Sequence, residues 1–225
     1  SGFSIAHGFG VAPTFFSITG IPELGPASIG QVILLAALCG GLSVLFCKGL
    51  HWIGGLYRKF LHDSILRAVV GGVLVVALTY LVQTKDYNGA GMEIIQNAMQ
   101  GQARPEAFFL KMIFTALTLG AGFKGGEIVP TFFVGSTFGC VVGGLLGMNP
   151  SFGAAIGLVA LFCGVVNCPV TSIILSVELF GAQGLLLFAI ACAVSYMLSG
   201  YYGLYSGQKI LYSKLKPEFI NQNSK

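Results

Sequence analysis

Charge is the scarcest ingredient of this chain. Of 225 residues, 9% are Asp, Glu, Lys or Arg, while 55% are hydrophobic. Soluble domains carry about 25% charged residues, and a soluble chain needs that charge to cover its surface. The shortage excludes an ordinary water-soluble globule. From Gly125 to Gln208 it is nearly complete, because the only Asp, Glu, Lys or Arg residues there are Glu127 and Glu178. One membrane-spanning helix takes about 20 apolar residues, so this stretch has room for roughly three or four.

Other scarcities narrow the function. The three histidines, His7, His51 and His62, show no metal-ligand spacing, and no metal site is expected. Six cysteines (Cys39, Cys47, Cys140, Cys163, Cys168 and Cys192) lie in or beside apolar runs without a close C-x-x-C pair. They read as small buried hydrophobes, not as a disulfide framework. No basic face with interleaved aromatics is present, so no nucleic-acid partner is expected. The chain begins at Ser1, with no initiator Met, basic n-region or cleavage site. It therefore reads as the interior of a longer protein, not as a signal peptide.

The formal net charge is only +4, and its location says more than its size. Arg58, Lys59 and Arg67 flank one apolar segment boundary, and Lys209, Lys214, Lys216 and Lys225 sit at the C-terminus. Both clusters read as cytoplasmic by the positive-inside tendency. That expectation puts the C-terminus in the cytoplasm and the 18–30 loop outside a cell membrane crossed several times.

What the chain does have is apolar runs punctuated by its 33 glycines and 8 prolines. Residues 1–18 read as the end of a helix, and Gly20 to Pro26 as a loop. Ser28 to Tyr57 is a long apolar run, after which Asp63 caps a segment reaching about Gln83. Thr84 to Arg104 is polar, with a short amphipathic helix at Met92–Met99. Pro105 suits the first turn of a helix over about 106–119, where its missing N–H costs nothing. Further helices are expected over about 131–147, 151–166, 170–181 and 185–199. Asn149-Pro150 and Asn167 to Pro169 form the breaks between them, and a last helix is expected over 204–215. Several segments are too short to cross a bilayer, which implies burial in protein or a role lining a cavity.

The chemistry concentrates in Gly125-Gly126-Glu127-Ile128-Val129-Pro130. Two glycines free the backbone for a tight turn. A helix starts at once, and its first N–H groups have no partner within the helix. They carry partial positive charge and favour an anion. A small anion can be selected this way and still leave. Lys124 adds positive potential. Two other readings compete: a ligand-free hinge, and a dinucleotide fingerprint in Gly120-x-Gly122-x-x-Gly125. The fingerprint needs a preceding strand and a βαβ unit, and neither is visible.

Residues 125–139, GGEIVPTFFVGSTFG, look like the G-x-F-x-P region of CLC proteins. Residues 164–181, GVVNCPVTSIILSVELFG, are similar to that family's short Pro-initiated helix and its Glu-containing end, and Leu204-Tyr205-Ser206 resembles its L-Y-S element. Order and spacing agree, and the likeness runs from about residue 10 to the end.

The resemblance implies an all-α integral membrane fold, half of a CLC-type inverted repeat with broken, re-entrant and tilted helices. Residues 1–225 are then one transmembrane domain. The half carrying the G-[KR]-E-G-P motif is missing, since no such motif occurs here. The backbone around Gly126, Glu127, Ile128 and Val129 is the implied anion seat, and Tyr205 the hydroxyl donor. A homodimer is implied, with helices near 170–199 at its interface.

Chloride is the default ion. A glutamate at position 127 looks more like the fluoride-exporting branch of the family, although that branch usually has threonine where Val129 stands. Glu127 has two open roles: proton or fluoride coupling, or simple stabilisation of the helix dipole. Tyr205 also has a plain alternative, an interfacial belt tyrosine like Tyr201, Tyr202 and Tyr212. Glu178 reads as structural, salt-bridged or hydrated at a helix end.

The expected function is passage of a small inorganic anion, as a channel or an anion/proton antiporter, with no covalent chemistry and no cofactor. A carrier of small organic anions and a non-conducting assembly subunit are the rival expectations.

Overall fold

The computed structural model describes residues 5, 8–10 and 15–224. Among them are eight helices: α1 (Pro26–Phe60), α2 (Ser64–Val82), α3 (Met92–Met99), α4 (Ala107–Gly120), α5 (Ile128–Leu145), α6 (Pro150–Val166), α7 (Pro169–Phe180) and α8 (Leu185–Leu198). A short antiparallel hairpin, β1 (Lys209–Tyr212) and β2 (Phe219–Asn223), follows. Most of the expected helix end over 1–18 lies outside the described residues.

Local chemistry sets the boundaries. The Asp63 carboxylate accepts from the Ile65 N–H at 2.9 Å and caps α2, as expected. The Asn149 side chain accepts from the Ser151 N–H at 2.9 Å, and Pro150 fills the first turn of α6. Asn167 ends α6 in the left-handed region, at φ 58°. Pro169 then starts α7.

Among the described residues, three helices are long and apolar enough to cross a membrane: Pro26–Phe60, Ser64–Val82 and Ile128–Leu145. α1, at 35 residues, is about 52 Å long, well beyond the ~30 Å apolar slab of a bilayer. The helices α4, α6, α7 and α8 have only 14, 17, 12 and 14 residues.

The centre of the fold is α6. Every residue from Ser151 to Val165 is buried, so this helix is apolar all round and touches protein on all sides. It packs on α1, α5, α7 and α8. Its contact with α5 is a meeting of bare backbones. Gly135, Gly139 and Gly143 form a stripe on α5, and Gly153 and Gly157 face it on α6. A Cβ at Gly139 would lie 2.2 Å from the Gly153 carbonyl oxygen, and one at Gly157 2.3 Å from that of Gly135. Only glycine permits this approach. By contrast α2 buries Gly71 alone and rests on α4.

The sequence expectation fails at the C-terminus. Residues 204–215 are not a helix: a turn at 205–207 leads into β1. Lys-Ile-Leu-Tyr is a four-residue run whose buried member is Ile210. Pro217 follows five residues later and disfavours helical conformation at Lys216. The tail returns as β2, and Tyr212 meets Phe219 across the pair with ring centroids 5.5 Å apart. The fold is thus helical throughout its apolar part, with a small hairpin after it.

Candidate anion site

The loop after α4 supplies the site. Ala121 and Gly122 close α4, and residues 123–126 carry no regular structure. α5 begins at Ile128, three residues earlier than expected, with Glu127 at its N-cap. Glu127 does not cap with its side chain. Among the described residues, nothing accepts from the N–H groups of Glu127, Ile128 or Val129. Pro130 has no N–H to satisfy. The Glu127 carbonyl is used, accepting from the Thr131 N–H at 3.2 Å and the Thr131 hydroxyl at 2.9 Å. The helix start therefore has free donors and a fixed backbone, a combination that attracts anions.

Two cavities flank this turn. One, of about 180 Å³, is lined by Leu50, His51, Gly54, Arg58, Leu119, Gly120, Glu127 and Leu204. The other, of about 1100 Å³, lies between α2, the 83–90 loop and α4, and Gly125, Gly126, Val129 and Pro130 form part of its wall. The predicted residues therefore divide. Glu127 shares the smaller cavity with Leu204, while Gly126 and Val129 face the larger one. Ile128 lines neither cavity and is 40% exposed. Tyr205 also lines neither. It follows Leu204 directly and is 44% exposed.

The position of Tyr205 comes from the α6 terminus. The Leu204 N–H donates to the Val165 carbonyl at 3.0 Å, and the Gln208 side-chain amide donates to the Val166 carbonyl at 3.1 Å. These bonds lay the 200–208 strap across the end of α6. A Cβ at Gly203 would stand 2.8 Å from the Asn167 side-chain nitrogen, so a glycine lets the strap lie flat.

Sequence reasoning missed three basic groups here. His51 and Arg58 line the Glu127 cavity, on the same stripe of α1 as Gly54. Their i, i+3, i+7 spacing was a readable signal. Lys111 is the third, 2% exposed within apolar α4 and lining the larger cavity. Its amine donates to the carbonyls of Tyr87, at 3.0 Å, and Gly89, at 2.6 Å, and lies 5.0 Å from the centroid of the Phe133 ring. A lone lysine in an apolar helix is itself a signal. Glu178 is exposed near the end of α7 and forms no ion pair among the described residues.

Comparison with known proteins bears on the family and the fold. A family profile described as "Voltage gated chloride channel" matches residues 1–200. A "Chloride/fluoride channel protein" of Pseudomonas syringae pv. tomato is 32% identical over 216 residues, covering 93% of this chain and 48% of that protein. An "H(+)/Cl(-) exchange transporter ClcA" of Vibrio cholerae is 30% identical over 221 residues, covering 89% and 46%. Among solved structures, a CLC-type fluoride/proton antiporter superposes with a TM-score of 0.86 at 25% identity, covering 90% of this chain and 51% of that one. The chain spans about half the length of the curated relatives it matches. With the profile matched over residues 1–200 and the helical fold shared with that antiporter, this chain belongs to the CLC, or voltage gated chloride channel, family.

Proposed function

We propose that this chain forms one of two inverted halves of a transporter that passes a small inorganic anion across a cell membrane. The start of α5 is the seat for the ion. The observation carrying this reading is the set of unpaired N–H groups at Glu127, Ile128 and Val129. Depth supports it. α4 leaves the polar 84–106 stretch and has 14 residues, so it advances about 21 Å through an apolar slab of ~30 Å. The 121–127 turn then lies inside the slab, where dipoles act strongly and no bulk water competes. His51 and Arg58 line the same cavity as Glu127. Arg58 and Lys59 end α1 on the face assigned to the cytoplasm, which gives the anion a positive approach. The Tyr205 hydroxyl is a neutral donor that completes the seat when the other half turns the strap toward the ion.

Chloride is the family default. Glu127 favours a second reading, fluoride exchanged for protons. A carboxyl group at the helix start can carry a proton and, protonated, donate to fluoride. The Pseudomonas relative and the antiporter structure carry fluoride in their names. Transport proceeds without covalent chemistry.

A homodimer is part of the proposal. Val170, Ile174 and Val177 form an exposed apolar stripe on α7, and Leu185 and Leu186 extend it at the start of α8.

The test is efflux from liposomes holding the transporter with both halves, with fluoride compared against chloride. Glu127→Gln removes the titratable group at constant size. The expected outcome is loss of proton coupling or of fluoride preference. Unchanged flux with unchanged pH dependence leaves Glu127 only its dipole-stabilising role.

A further inference from the structure

Lys214 is far from the anion seat in sequence and lies in the connection between β1 and β2. Its amine reaches back to the ends of two helices. It donates to the Asn167 side-chain oxygen at the end of α6, to the Tyr196 carbonyl at 2.9 Å and to the Ser199 hydroxyl at 2.8 Å at the end of α8. It also lies 4.2 Å from the centroid of the Tyr196 ring. An ammonium has three donors, and all three are used. Two helix C-termini converge here, each with partial negative charge, and one cation serves both.

Asn167 links this cation to the strap. Its side-chain oxygen accepts from Lys214, while its side-chain nitrogen donates to the Tyr202 carbonyl at 2.9 Å. The orientation of the amide is fixed, because an ammonium only donates and a carbonyl only accepts. Tyr202 is three residues from Tyr205. The chain of contacts runs from Lys214 through Asn167 to the strap that carries the hydroxyl donor.

We propose that Lys214 is a positioning residue, a cationic latch that holds the 200–208 strap against the ends of α6 and α8 and thereby sets where Tyr205 meets the anion. Removing the amine leaves the Asn167 oxygen without a donor, while the Tyr196 carbonyl keeps the Ser199 hydroxyl at 3.0 Å. The Asn167 amide is then free to turn, and its bond to Tyr202 goes with it. The inference rests on the reading of Tyr205 as an anion donor.

Burial pushes the Lys214 amine down to about 8, against the pull of Cys163 on α6 and Cys47 on α1. Tyr196 on α8 is the third titratable side chain facing it. The latch therefore weakens as pH rises through that value.

The experiment uses the intact transporter, with fluoride and chloride as the probes. Lys214→Met is expected to weaken anion binding by no more than Tyr205→Phe does, roughly two- to tenfold, because it acts through the same donor. In a Tyr205→Phe background it adds no further loss. Lys214→Arg keeps the charge, restores at least half of the lost affinity, and flattens any dependence on pH between about 7 and 9. Should Lys214→Met fail to fold, Ser199→Ala removes one acceptor of the amine, together with the hydroxyl's bond to the Tyr196 carbonyl, and gives a smaller change in the same direction.

A spin label at Gly207→Cys, in a Cys168→Ser background, reads the strap directly. No atom lies within 4 Å of a Cβ at Gly207, and Cys168 is the one cysteine that is not buried. Loosening of the label in Lys214→Met supports the latch. A label as rigid as in the parent overturns it, and so does a Lys214→Met loss that persists in full beside Tyr205→Phe. A loosened label with normal binding in Tyr205→Phe keeps the latch and removes Tyr205 from the anion seat.

Discussion

Gly139→Ala adds a single methyl group at the tightest place in the fold. The new carbon would lie 2.2 Å from the Gly153 carbonyl oxygen, 2.8 Å from the Gly157 Cα and 3.0 Å from the Gly157 nitrogen. Ordinary contact begins at 3.4 Å, so the shortfall at the carbonyl is 3.4 − 2.2, or 1.2 Å. All three obstacles are backbone, and no rotamer change relieves them. α5 and α6 must part, and the contacts along the whole glycine stripe loosen together. Overpacking of this kind costs about 1–3 kcal/mol. At about 2–4 °C per kcal/mol for a chain of this size, the midpoint falls by roughly 2–12 °C. Glycine at position 41 is the control. It sits inside α1 with nothing within 4 Å, so Gly41→Ala meets no obstacle and gains helix propensity of up to about 1 kcal/mol. Thermal unfolding in detergent, followed by size-exclusion recovery, compares the two. A Gly139→Ala protein that melts with the parent, or that matches Gly41→Ala, refutes the claim that touching backbones hold α5 in place.

Other substitutions probe the site. Tyr205→Phe in the intact transporter should weaken halide affinity by about 0.5–1.5 kcal/mol through loss of one donor, and calorimetric titration with fluoride and chloride measures it. Lys111→Met keeps the length of the side chain but strands the Tyr87 and Gly89 carbonyls. Each orphaned carbonyl costs about 1–3 kcal/mol. Faster trypsin cleavage at Lys85 and a lower melting point are expected, and equal cleavage rates in parent and variant would show that the amine does not hold the 84–91 loop.

Much of the helix pattern was legible from local chemistry. Asp63, Asn149-Pro150 and Asn167 to Pro169 announce boundaries because cap and proline rules act within a few residues. The start of α5 was legible for the same reason, since two glycines, a turn and a proline mark it within six positions. The hairpin was not. Lys209–Tyr212 is short and apolar enough to read as helix, and only its pairing with Phe219–Asn223 makes it a strand. The basic groups around the site were hidden for another reason. Lys214 looked like one of several cytoplasmic lysines, and its reach to Asn167 depends on two helices that end side by side. Arg58 looked like an interfacial charge and His51 like an isolated histidine until the fold set both in one cavity with Glu127.

The bare stripe between α5 and α6 also bears on how such a protein could work. Interlocked side chains can change rotamer and let two helices slide, but five glycines in mutual contact have nothing to rearrange. The pair must travel as one stiff plank, with the proposed anion seat fixed at its end. Any alternation of access then falls to parts outside that pair, such as the Glu127 side chain.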